Sequence, residues 1–207
     1  MARFSFSGPT CNRDRIVTVF MAVIGVFTCA ASALAGGGNV QPPSAKPKGY
    51  SLSDMAVATA VYNVGGTLPD VPFEVLVPFE PNVTVEPGTQ LYLPIFYVDD
   101  SGGAPPGFPT DITDQDADAD FLASYAFDAF GVTDFIVQVD GKTTILSDDY
   151  VSGVTTAPLP DGTPAGTHYI VSAAFLTPLT PGVHTVGIGG IIGGEPVVFV
   201  PYTVTVR

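Results

Sequence analysis

Four carboxylates at alternate positions, Asp114, Asp116, Asp118 and Asp120, form the one constellation in this chain that suggests a ligand. Calcium takes about six to eight oxygen ligands, and the spacing begins as an EF-hand loop begins. It then departs, with Ala119 where the loop needs Gly and Tyr125 where the closing bidentate Glu belongs. Asp99 and Asp100 stand at a neighbouring strand end and could join such a site, although Asp-Asp-Ser-Gly-Gly is also ordinary turn chemistry. On a helix, alternate carboxylates splay to different faces. The expectation is therefore a solvated acidic helix start and no cofactor, with calcium as the alternative.

Nucleophilic catalysis finds little material. The chain lacks a Gly-x-Ser-x-Gly elbow, and its histidines are His168 and His184, each at the start of an apolar run. Both are expected to brace the fold, and no residue is assigned a catalytic role. The glycines of residues 187–194 do not match Gly-x-Gly-x-x-Gly and no helix pattern follows, so they predict a flexible hairpin and not a nucleotide loop. Paired carboxylates of the glycosidase kind are available among the acids, yet a chain without Trp lacks a common sugar-stacking platform. A secreted hydrolase using Asp or Glu stays as an alternative function, as does a calcium-dependent adhesin.

The elements that must position these residues begin after an address. Arg3, Arg13 and Arg15 precede an uncharged apolar run over residues 16–30, and Ala33-Leu34-Ala35 offers a small-x-small cleavage site. About 15 residues at 1.5 Å each fall short of a hydrocarbon core about 30 Å thick. Residues 1–35 therefore read as a signal peptide, and the mature protein, starting at Gly36, as secreted or periplasmic with no membrane attachment. Cys11 and Cys29 leave with the signal, so no disulfide or thiolate site remains. Of the 20 acids only Asp14 leaves, while the bases that stay are Lys46, Lys48, Lys142 and Arg207, a formal charge of −15. Such a surface repels phosphate backbones and anionic lipid, which excludes nucleic acid as a partner.

Residues 36–48, rich in Gly and Pro, read as a disordered leader, and residues 49–207 as a single, monomeric domain. Alternation recurs at Phe73, Val75 and Val77, at Val83 and Val85, and along residues 202–206. Glu86-Pro87-Gly88-Thr89 predicts a reversal, Asp140-Gly141 a tight hairpin, and Gly193-Gly194 the turn of a closing hairpin. Between residues 113 and 130 alternation gives way to a three-to-four spacing of Phe121, Leu122, Tyr125, Ala126 and Phe130. Thr113 can cap that helix and Gly131 can end it. The pattern is mainly β: an antiparallel β-sandwich with one short helix inserted near residues 113–130.

Residues 179–188 (LTPGVHTVGI) followed by Tyr202-Thr203-Val204-Thr205-Val206 resemble the last two strands of bacterial secreted immunoglobulin-like modules. Those modules show Leu-x-Pro-Gly-x-Tyr-x-Val before an alternating strand, the Tyr hydroxyl tying back to backbone as in a tyrosine corner. Here His184 stands in the Tyr place. The stretches LYLPIFYVDDS, VDGKTT and HYIVSAAFLTPL are similar to secreted bacterial proteins of an uncharacterised family. The resemblance implies an immunoglobulin-like sandwich with a structural or binding role toward an unknown protein or polysaccharide partner, and it brings no activity with it.

Overall fold

In the computed structural model of the chain, the residues described are 39–63, 67–68, 70–77, 80–111, 113–155 and 168–207. The signal peptide expected at residues 1–35 lies outside them. The described chain is mainly β, in two sheets. One has the order β1 (Glu74–Val75), β3 (Leu91–Asp99), β7 (Tyr169–Leu176), β6 (Val151–Val154). The other has the order β2 (Asn82–Val85), β9 (Glu195–Val206), β8 (Gly182–Ile192), β4 (Val132–Val139), β5 (Lys142–Ile145). A shared core joins them, with Leu91, Leu93 and Leu176 of the first sheet and Val137, Val186, Ile188 and Tyr202 of the second.

The sheets are mixed and not purely antiparallel as the alternation suggested. β1 runs parallel to β3, and β2 runs parallel to β9. The turn at Glu86–Thr89 forms as expected, with Gly88 at φ 86° and the Thr89 amide donating to the Glu86 carbonyl at 3.1 Å. It does not join hairpin partners, however; it carries the chain from β2 in one sheet to β3 in the other. The two hairpins are as the dipeptides predict. Val139 pairs with Lys142 across Asp140 (φ 49°) and Gly141 (φ 79°), and Ile192 with Glu195 across Gly193 (φ 60°) and Gly194 (φ 87°). Positive φ at both central residues defines the type I′ turn that matches strand twist.

β7 is buried at every residue because both of its faces are covered, which is why YIVSAAFL reads as a continuous apolar run. On one side lies α1 (Leu52–Asn63), which places Met55, Ala56 and Ala60 in the main core. On the other lies α2 (Gln115–Phe130), whose Ala119 and Leu122 form a second core with Val98, Val151 and Ile170. Two helices thus replace the single one expected. α1 buries Leu52, Met55, Ala56, Thr59 and Ala60 at three-to-four spacing, but its exposed face carries Val57 and its flank Ala58, so the sequence shows little contrast between the faces. α2 matches its expected span, but Asp114 caps it, accepting from the Ala117 amide at 3.0 Å, while Thr113 bonds Asp111. Gly131 ends it at φ 71°.

From Asn39 onward the leader differs from the tether expected over residues 36–48. Val40 forms an isolated bridge with Leu176, the Gln41 amide donates to the Phe175 carbonyl at 2.9 Å, and the Thr177 amide donates to Asn39 at 2.8 Å. Tyr150 adds its hydroxyl to the Gln41 carbonyl at 2.8 Å. Composition alone suggested disorder, but Val40 has apolar neighbours to join once β7 exists.

Candidate functional site

The acids of residues 114–120 go separate ways. Asp114 is spent as the helix cap, Asp116 and Asp120 are exposed, and Asp118 is fully buried. Asp99 accepts from the amide and hydroxyl of Ser101, as turn chemistry requires. Asp100 accepts from the His168 amide at 3.1 Å. Among the described residues no group of three or more His, Cys, Asp or Glu is placed to hold a metal ion. Only Asp100 and Asp118 of the six calcium candidates come to one place, and what they meet there is His168.

His168 and Asp118 form the buried polar centre of the molecule. His168 is 2% exposed and Asp118 is 0% exposed. The ring directs Nε2 at Asp118 Oδ2, 3.2 Å away, and at Nδ1 it meets the carbonyl oxygen of Pro109 at 3.1 Å. Oδ1 also lies 3.1 Å from Nε2, but off the direction of a hydrogen bond, and has no other partner. Burial pushes the Asp118 carboxyl above its ordinary value; the charge and hydrogen bond of His168 pull the other way, and Asp114 and Asp111 push further upward.

Each of these groups is delivered by a different element. Asp118 lies on the α2 stripe with Leu122 and Ala126, four residues apart, so it faces inward with them. His168 immediately precedes β7 and shares the face of Ile170, which points at α2. β6 approaches both through Gly153, where a Cβ would overlap Asp118 Oδ2 and crowd His168 Nε2. Phe108 closes the site with its ring edge-on to the imidazole at 5.2 Å. The α2 side chain of Gln115 donates to the Val151 carbonyl at 2.9 Å, capping an edge strand that would otherwise offer that group to another chain.

This pairing escapes sequence reasoning because its members are 50 residues apart. One signal was present: an Asp in register with Leu122 and Ala126 on an amphipathic helix marks a carboxylate headed for the core, where it needs a partner.

His184 makes the other charged centre. Nδ1 lies 2.8 Å from Asp140 Oδ2, and Nε2 lies 2.8 Å from the Thr180 carbonyl, four residues back. Asp140 in turn accepts from the Thr185 amide at 2.9 Å through Oδ1 and donates its own amide to the Thr185 carbonyl. The hydrogen bonds of Asp140 and Thr180 raise the His184 pKa against a smaller loss to burial. For Asp140 burial acts upward, but the hydrogen bonds from His184 and the Thr185 amide and the charge of His184 hold it below the ordinary carboxylate value.

Gly187, Gly189 and Gly190 of β8 owe their presence to close approach and not to flexibility. A Cβ at Gly189 would overlap the backbone carbonyl of Val197 in β9, one at Gly187 would crowd Val198, and one at Gly190 would crowd Val132. A shallow hollow lies between α2 and the start of β4, lined by Ala119, Ala123, Val132, Phe135, Leu146 and Val151. Thr133, Asp134, Ser147 and Asp148 line it as well, so its walls are mixed in polarity. Among the described residues no helix is long and apolar enough to cross a membrane.

No protein-family model matches the chain, and no curated protein matches it. Among solved structures it is similar to the cysteine protease inhibitor EhICP2 from Entamoeba histolytica, at 15% identity and a TM-score of 0.31, over 67% of this chain and 99% of that one. It is likewise similar to Amebosin, at 14% identity and a TM-score of 0.31, over 66% of this chain and 100% of that one. Likeness at that level decides neither the type of fold nor a function.

Proposed function

We propose that the protein is an exported, non-catalytic immunoglobulin-like sandwich with a binding or structural role toward a protein or polysaccharide. One observation carries the non-catalytic reading. Both histidines, the side chains suited to general-base work near neutral pH, have both ring nitrogens committed to fold-internal acceptors. A base so engaged has no free nitrogen for a substrate proton. The immunoglobulin-like type is supported by strand order: β1-β3-β7-β6 and β9-β8-β4-β5 follow A-B-E-D and G-F-C-C′, with β2 added beside β9. The tie of His184 to Thr180 also supports it, since a corner tyrosine bonds backbone a few residues upstream in the same way. The parallel pairing of β1 with β3 is a departure from that antiparallel scheme. Export is supported by the charge and apolar pattern of residues 1–35.

The test is a panel of ester, peptide and glycoside substrates beside arrays of polysaccharides and secreted proteins, all probed with protein recovered from the periplasm or medium of a bacterial host. An N-terminus at Gly36, saturable binding on an array and no turnover are the expected results. Turnover that disappears in His184→Ala while the melting temperature holds would overturn the reading.

A further inference from the structure

The partners of the His168 ring fix how many protons the buried pair holds. Nδ1 faces the Pro109 carbonyl, which can only accept, so that nitrogen carries hydrogen. Nε2 faces the Asp118 carboxyl. With Nδ1–H in place, a neutral ring beside an ionised carboxylate would set lone pair against lone pair. One further proton therefore lies between Nε2 and Asp118. We infer that Asp118 and His168 form a proton-held latch, fastening the 100–111 connection and the first turn of α2 to β6 and β7, and that loss of this proton as the pH rises releases the connection.

Both ends of the connection hang on His168. At its start the His168 amide donates to Asp100 Oδ1 at 3.1 Å and the Asp100 amide donates to the His168 carbonyl at 3.3 Å; near its end Pro109 accepts from the ring. The charged groups that face the pair are acids from every side: Asp100 after β3, Asp111 in the connection, and Asp114 at the cap of α2. Each favours keeping the proton. β6 contributes Gly153, whose missing Cβ leaves the space that the Asp118 carboxyl occupies beside the ring. Once the proton is gone, two arrangements remain. The ring can move its hydrogen from Nδ1 to Nε2, keeping Asp118 and losing Pro109, or it can keep Nδ1–H and lose Asp118. Either one undoes the joint between the connection and α2.

The full chain, labelled with ¹⁵N-histidine and ¹³C-aspartate, tests this in a pH series; a His184→Ala spectrum assigns the two rings. The His168 Nε2 and Asp118 carboxyl-carbon signals should move in one shared step. At that step, amides of residues 100–111 should lose protection from exchange by about tenfold or more beyond the intrinsic pH effect, the change that one pKa unit of coupling carries. In Asp118→Asn the amide N–H donates to Nε2 without any shared proton, so protection should no longer depend on pH. Separate titrations of Nε2 and Asp118, a shared step that leaves protection unchanged, or a wild-type step in Asp118→Asn would each overturn the latch. If Asp118→Asn does not fold, the wild-type spectra decide the matter alone.

Discussion

His184 holds two acceptors at once, and two acceptors ask for two ring hydrogens, which makes the charged ring the bound form. Its folded pKa lies above the ordinary 6.5, so its contribution is fully present below that value and fades as pH rises through the folded one. Asp140, held below 3.8, contributes above that value and fades as pH falls through its own folded pKa. Melting temperature followed across pH should therefore drop on the alkaline side of 6.5, and in His184→Ala that drop should shrink. The substitution itself should cost about 1 kcal/mol, because Asp140 is half exposed and solvent screens the pair. His168→Ala should cost more, about 3 kcal/mol or above, since it strands a buried carboxyl without its partner; urea unfolding of the two variants gives the order. From the sequence alone the order reads the other way. His184 is legible as a brace because its Pro-Gly-x-His setting is local, whereas the burial of His168 depends on α2 and the 100–111 connection folding over it, and no spacing along the chain records that.

At the scale of elements, the cap and the glycines carry the clearest consequences. Asp114→Ala removes the side chain that accepts from the Ala117 amide and should cost about 1 kcal/mol in urea unfolding, the usual worth of an N-cap. Gly153→Ala and Gly189→Ala both meet occupied space, but of different kinds. At Gly153 the obstacle is a carboxyl on a helix that can shift; at Gly189 it is the Val197 backbone, held by the β8–β9 ladder. Gly189→Ala should therefore unfold at lower urea than Gly153→Ala, and equal midpoints would contradict the contact geometry. Strands and hairpins were legible because period two and Asp-Gly or Gly-Gly turns are local signals. α1 was not, since Val57 on its exposed face and Ala58 at its flank blur the three-to-four stripe of Leu52, Met55, Ala56, Thr59 and Ala60. Its start did carry a signal: Ser51 and Asp54 exchange amide hydrogen bonds as a capping box, Ser-x-x-Asp, with the Ser51 amide 2.8 Å and the Asp54 amide 3.1 Å from the other's side chain.

For the whole molecule, the leader residues close the fold from outside. Asn39 and Gln41 make backbone hydrogen bonds to the end of β7, and Tyr150 reaches Gln41 from beyond β5. A chain beginning at Gly36 keeps these contacts, and one beginning at Pro43 loses all of them. The shorter chain should melt several degrees lower, as a loss of about 1 to 2 kcal/mol does in a domain of this size. Composition hid this, because Gly and Pro are frequent both in tethers and in irregular segments that lie against a sheet. Sheet membership was hidden for a related reason: alternation specifies which face of a strand is buried but not which strand lies beside it, so nothing local sends β2 to β9 rather than to β3.

The parallel register of β2 and β9, from Asn82 opposite Thr203 to Val85 opposite Val206, is extended at both ends by the Thr203 amide on Pro81 and the Arg207 amide on Val85. Tension that reaches the first residue of β2 and the last of β9 pulls the two in opposite directions along one axis. The bonds between them are then sheared together instead of being opened one at a time, so a module tethered at both ends would resist stretching at the seam where its early and final strands meet.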